Sequence, residues 1–178
     1  GGYSYYELLI QRYVRNRNLK WLKQWNPHSS YRVYYRPDGY RLSSQIHVDM
    51  SEVEFASGAR FGPELNIYHE GLAAPLKLSS NVTLPVGEYD FPTVGFDWTT
   101  DPSAPLSMAS RSDFGPFYNG TRAGGTATIT YRRGASISSS LVLDYNDVRL
   151  DQGNFIRQII GTRVAYFFTP SVSVQSLM

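Results

Sequence analysis

The sequence predicts an all-β fold: an antiparallel up-and-down β-barrel, or a barrel-derived sheet, of about 8 to 10 strands that is partial rather than complete. Three observations predict it. Ser, Thr, Tyr, Val, Gly and Pro outweigh the strong helix formers. Several segments alternate apolar and polar residues over about ten positions, longer than the strands usual in soluble sheets. The connections between them alternate short and long, as they do between the two rims of an outer-membrane barrel. At 178 residues the chain makes one domain, with residues 1–30 a basic, aromatic opening segment and residues 31–178 a meander of long strands. The opening residues lack the basic start and apolar stretch of a signal peptide. Beginning at Gly1 and stopping at Met178 within a strand-like pattern, the chain reads as a piece of a longer or processed one.

The opening segment "YELLIQRYVRNRNLKWLKQW" has two readings. As a strand it sets Tyr6, Leu8 and Ile10 opposite Glu7, Leu9 and Gln11. As a helix it sets Leu8, Leu9, Tyr13, Trp21, Leu22 and Trp25 beside Arg12, Arg15, Arg17, Lys20 and Lys23, the composition of a helix lying on an anionic membrane. The favoured reading is a strand followed by a basic turn. Next, "YRLSSQIHVDM" places Tyr40, Leu42, Ile46, Val48 and Met50 opposite Arg41, Ser43, Gln45, His47 and Asp49. The apolar phase then moves to Val53 and Phe55, which predicts a bulge after Ser51.

From residue 57 the connections read short at "ASGA", long over residues 70–88, short at "TDPSAP", long at "GPFYNGTRAGG", short at "RRGA", long at "NDVRLDQGN" and short at "FTPS". The tight "RPDG" breaks the rhythm earlier. Within the 70–88 connection Pro85 and Gly87 punctuate a turn, and Tyr89 and Phe91 restart the alternation near Glu88. In "ASISSSLVLDYN" Ala135, Ile137, Ser139, Leu141, Leu143 and Tyr145 share a face, opposite Ser136, Ser138, Ser140, Asp144 and Asn146. In "NFIRQIIGTRVAYFF" Ile156, Ile160, Val164, Tyr166 and Phe168 oppose Arg157, Gly161, Arg163 and Ala165. Arg157 and Arg163 lie roughly 20 Å apart along one face. Facing hydrocarbon they would be costly, so they point inward, and Asp144 on the adjacent strand is the expected counter-charge.

The segments L-P-x-G-E-Y (84–89), F-Y-x-G-T-R (117–122), Y-N-D-V (145–148), G-x-F (153–155) and Y-x-F-T-P (166–170) recur in one known setting. Over residues 80–178 the chain resembles the C-terminal outer-membrane β-barrel of a large bacterial family of uncharacterised function. Members of that family usually carry an N-terminal module similar to the family 9 carbohydrate-binding domains. The resemblance implies an outer-membrane location and a barrel acting as anchor or pore element. The sequence lacks the carbohydrate-binding-like module and stops where family members continue, which makes a partial barrel the expectation. The alternative is a membrane-associated, periplasmic or membrane-peripheral, all-β structural subunit packed against a larger membrane protein complex.

The net charge of +2 hides an asymmetry: residues 1–41 hold eight Lys or Arg against Glu7 and Asp38. A strip touching lipid head groups accounts for this better than nucleic acid, because no RNP-like aromatic pattern accompanies the scattered cations. A lipid membrane is therefore the expected partner, and nucleic acid is not. The aromatic residues gather near strand ends, and Tyr5, Tyr6, Trp21, Trp25, Tyr34, Tyr35, Phe117, Tyr118, Tyr166 and Phe168 are the candidates for a membrane interface or partner contact.

Enzymatic chemistry is not expected. The chain has no cysteine. His28, His47 and His69 have no metal-motif spacing and read as polar strand or loop residues, so no metal and no cofactor is expected. Asp144, Asp147 and Asp151 cluster on a predicted outer loop without a calcium-loop register. Carboxylates such as Glu88, Asp90 and Asp97 are no more than any domain carries and do not amount to a glycosidase pair, and no G-x-S-x-G elbow occurs.

Overall fold

A computed structural model describes residues 2–169 and 171–178, and among these every regular element is a strand. The fourteen strands are β1 Ser4–Gln11, β2 Leu22–Trp25, β3 His28–Tyr35, β4 Arg41–Asp49, β5 Val53–Phe55, β6 Arg60–Leu72, β7 Leu76–Lys77, β8 Thr83–Leu84, β9 Gly87–Thr99, β10 Leu106–Phe117, β11 Gly120–Arg133, β12 Ile137–Leu150, β13 Gly153–Thr169 and β14 Val172–Leu177. Twelve form one antiparallel sheet, whose main path runs β1-β3-β4-β6-β9-β10-β11-β12-β13-β14. The long strands thus meander, each beside its neighbour in the chain. The strands β2 and β5 pair with each other as a small flap, and β5 also joins β6.

The opening segment is a strand, β1, followed by a basic connection and β2, as the favoured reading has it. The predicted restart near Glu88 is β9, which begins at Gly87. Strands β9 to β13 span 12 to 17 residues, more than the roughly 9–11 needed to cross a bilayer at a tilt. The sheet curls, since Leu9 of β1 and Thr128 of β11 line one cavity of 720 Å³ although five strands of the path lie between them. It does not close: β1 and β14 are its two edges.

Three sequence expectations are corrected here. The segments "GPFYNGTRAGG" and "NDVRLDQGN" are not long loops: β10 and β11 turn through Tyr118 and Asn119, and β12 and β13 turn through Asp151 and Gln152. Their Gly and Asn content serves close pairing. A Cβ at Gly120 would fall 2.0 Å from the Arg149 carbonyl, so glycine there lets β11 and β12 run together up to the turn. Consequently Asp144 and Asp147 lie within β12 and only Asp151 in a turn, so they form no acidic loop. The phase change after Ser51 is a new strand, β5, rather than a bulge.

The long connection between β6 and β9, residues 73–86, carries the β7–β8 hairpin back over the end of the sheet. Val82 and Leu84, the latter 0% exposed, pack against Val148 and Leu150 at the end of β12. Phe117 and Tyr118 pack against the same cluster, and the Tyr118 ring lies 5.2 Å from Tyr89 and 5.3 Å from Phe91. Tyr118 adopts φ of 52°, a left-handed conformation uncommon for a bulky residue. Ring packing holds it there. Tyr118→Asn keeps a residue tolerant of that backbone but removes the ring contacts, each worth about 0.5–1.5 kcal/mol. A net loss of about 1–2 kcal/mol is expected from urea unfolding, and no loss would mean the hairpin cap does not need the ring.

Candidate functional site: two opposed faces of one curved sheet

Antiparallel register places side chains of paired residues on the same face, so each face can be read in rows across the strands. One convex row is Leu8, Tyr31, Ile46, Ile67 and Pro92. Another is Phe61, Trp98, Ser110, Ala127, Leu143 and Ile160. Between Pro92 and Trp98, Leu106 and Phe114, Ala123 and Tyr131, Ile137 and Tyr145, and Ile156 and Tyr166, every convex position of β9 to β13 is uncharged. These are large exposed apolar groups: Leu8 is 61%, Trp98 49% and Ile160 70% exposed. Charges return on this face of β9 to β13 toward the rims, at Glu88, Asp90, Arg133 and the Asp147–Arg149 pair.

The concave face has the opposite chemistry. Arg32 donates to Glu7 at 2.7 Å across β3 and β1. Gln45 donates to Asn66 Oδ1 at 2.7 Å, and Asn66 Nδ2 donates to Glu64 at 3.1 Å. Glu64 also accepts from Arg111 at 2.7 Å, and Asp97 stands 3.8 Å from the same guanidinium. Arg122 pairs with Asp113, and both Asn146 and Arg157 donate to Asp144, at 2.8 and 3.4 Å. An alternating network of charge therefore runs around the inner face from β1 to β13. The Glu64 side chain fits because β9 offers Gly95 beneath it, where a Cβ would lie 2.6 Å from Oε1.

The structure distributes the sequence-predicted residues as follows. Asp144 and Arg157 meet on the concave face, and Arg163 shares that face opposite Ser140. Tyr5 and Tyr34 are concave, their rings tilted against each other with centroids 4.7 Å apart, while Tyr6 and Tyr35 lie on the other face. Tyr166 and Phe168 lie edge to face at 4.8 Å at the opposite rim, where Phe168 is well exposed. Trp21 and Trp25 belong to the flap: Trp21 sits 6.0 Å from Phe55, and Trp25 Nε1 donates to the Met50 carbonyl at 2.8 Å. Phe117 and Tyr118 are half-buried beneath the hairpin cap, so packing within the chain accounts for them. Glu88, Asp90 and Asp97 do not converge: Asp97 is concave, Glu88 and Asp90 are not.

Beyond the long strands, carboxylates are tuned locally. At the flap the ammonium of Lys23, 2.8 Å away, and the nearby Arg60 hold Glu54 below the usual carboxylate range. A depressed carboxylate contributes stability above its ordinary titration, and that contribution is lost as pH falls through its lowered value. Ser103, donating from side chain and backbone, lowers Asp101 in the turn after β9.

What the sequence reading missed is a histidine pair. His28 and His47 stand with their Nε2 atoms 3.0 Å apart on the concave face, beside Asp49 and Glu52. They lie nineteen positions apart in the chain. Counting register back from the "RPDG" turn would not have found them, because the ladder slips by one residue between Tyr34 and Tyr35, and only beyond that slip does His28 oppose Asp49 and Ser30 oppose His47. Comparison with known proteins adds no identity: no family model, no curated protein and no solved structure matches the chain.

Proposed function

We propose that this chain is part of the wall of an outer-membrane-type β-barrel, an anchor or pore element of a bacterial outer membrane that acts by position and not by turnover. The observation that carries the reading is the uncharged convex face of β9 to β13 set against the charged concave one. Soluble monomers rarely expose a contiguous apolar surface of more than a few hundred Å². In a bilayer the same residues face hydrocarbon and the charged network faces water, the alternation a membrane barrel requires. The resemblance of residues 80–178 to an outer-membrane barrel supports the same conclusion.

The open edges favour a second reading, a membrane-associated subunit whose sheet is completed by a larger complex. Two measurements separate them. Spin labels at positions 143 and 144, on opposite faces of β12, are expected to report lipid and water respectively. Equal exposure of both to water would overturn the barrel reading. The membrane-bound chain is expected to resist alkaline carbonate extraction, whereas release by carbonate would establish a peripheral subunit.

A further inference from the structure

We propose that His28, Asp49 and Glu52 form a binding site for one divalent first-row transition ion, of which Zn²⁺ is the natural probe. The site stands on β3, β4 and the segment after β4, so it does not depend on whether the convex face meets lipid.

The hairpin register sets His28 directly across from Asp49, and the chain then turns so that Glu52 approaches the same spot. One donor atom from each of the three residues lies within 4.8 Å of the other two. Bonds of about 2.0–2.2 Å from zinc to imidazole nitrogen and carboxylate oxygen need only small side-chain rotations from there. Asp49 is 4% exposed, and its Oδ1 accepts from the Ser51 N–H at 3.0 Å, which fixes the carboxylate. Gly62 leaves it room, since a Cβ there would lie 2.8 Å from Oδ2. Two carboxylates and one imidazole give a doubly negative, mixed oxygen and nitrogen donor set that suits such an ion.

The hydrogen-bond chain through the histidines points to a cation independently. Asn66 is oriented by two bonds, its Oδ1 accepting from Gln45 and its Nδ2 donating to Glu64. His47 Nδ1, 2.9 Å from that Oδ1, must therefore carry a hydrogen. Neutral His47 then offers a lone pair at Nε2, and His28 Nε2, 3.0 Å away, must donate to it. Neutral His28 is left with a lone pair at Nδ1, facing the Asn26 carbonyl at 3.2 Å and Glu52 Oε2 at 3.7 Å, both of them acceptors. Only a cation at Nδ1, or one extra proton on the pair, reconciles these contacts. A metal also explains why His47 is held by Asn66: the second imidazole fixes the tautomer of the ligand, as outer-shell partners commonly do. The ion would tie the β3–β4 hairpin to the segment that bonds the flap, where Asn26 N–H donates to the Glu52 carbonyl at 2.9 Å.

The whole chain folded in detergent micelles, titrated with ZnCl₂ by calorimetry, tests this. One ion per chain is expected, with affinity falling by at least about 10- to 100-fold in Asp49→Asn and in Glu52→Gln, while His69→Gln, outside the cluster, binds as the wild type does. Nitrogen-15 spectra of the wild-type histidines need no variant: Zn²⁺ should shift His28 Nδ1 and leave His47 Nδ1 protonated. Absence of saturable binding, binding unchanged by both carboxylate substitutions, or spectra showing one ring doubly protonated and indifferent to Zn²⁺ would each overturn the site.

Discussion

Arg111→Met is expected to destabilise the fold by about 3 kcal/mol, near the lower end of the range for breaking a buried ion pair by removing one partner. The reason lies in who is buried. The Glu64 side chain is 3% exposed and that of Arg111 58%. Removing the arginine strands a carboxylate that has already left water, with Asn66 as its remaining neutral donor and His47 3.8 Å away. Removing the carboxylate instead leaves a guanidinium that still reaches solvent and Asp97, so Glu64→Gln should cost only about 1 kcal/mol. Urea midpoints of the two variants in micelles measure the asymmetry. Equal losses would mean that the interior of the sheet is wetter than the geometry of Glu64 implies.

The second large effect separates the two faces. Leu143→Arg, between Ala127 and Ile160 on the convex side, is expected to cost about 2–4 kcal/mol in a bilayer if the position lies near its midplane. It should also reduce the membrane-retained fraction. Thr128→Arg, placed in the cavity, should be close to neutral, because a cation there has room and joins a lining that already carries Glu64, Asp97 and Arg111. On a water-exposed sheet face the order would change, since surface substitutions usually fall within about 0.5 kcal/mol of neutral. A harmless Leu143→Arg therefore refutes the proposed function directly.

Much of the sheet was legible because period-two alternation depends only on adjacent residues. The pattern of Leu141, Leu143 and Tyr145 against Asp144 and Asn146 is the pattern of the two faces, and so is that of Ile156 and Ile160 against Arg157. Turn length was not legible in the same way. Gly120 and Asn119 look like loop residues in isolation, yet their role follows from β12 passing against them, a contact set by residues some thirty positions on. The histidine pair fell outside the reading for a related cause. Motif spacing searches along one strand or helix, whereas His28 and His47 are neighbours across a hairpin. The aromatic residues divide similarly: Tyr6 and Phe168 are exposed, while Tyr118 looks no different in sequence and is held under a hairpin whose return path no local rule describes.

The meander has a kinetic consequence. From β9 to β13 each long strand pairs with the long strand next in sequence across a short intervening loop, and the longer returns before β3 and β9 add little, since closure entropy grows slowly with loop length. Folding of such a chain can proceed as a zipper, each hairpin presenting a ready template for the next strand, with little search for distant partners. The slow event is then moved to the seam. Strands β1 and β14 have no chain neighbour waiting on their outer sides among the described residues, so under the proposed function the slow step would be the arrival of whatever completes those two edges.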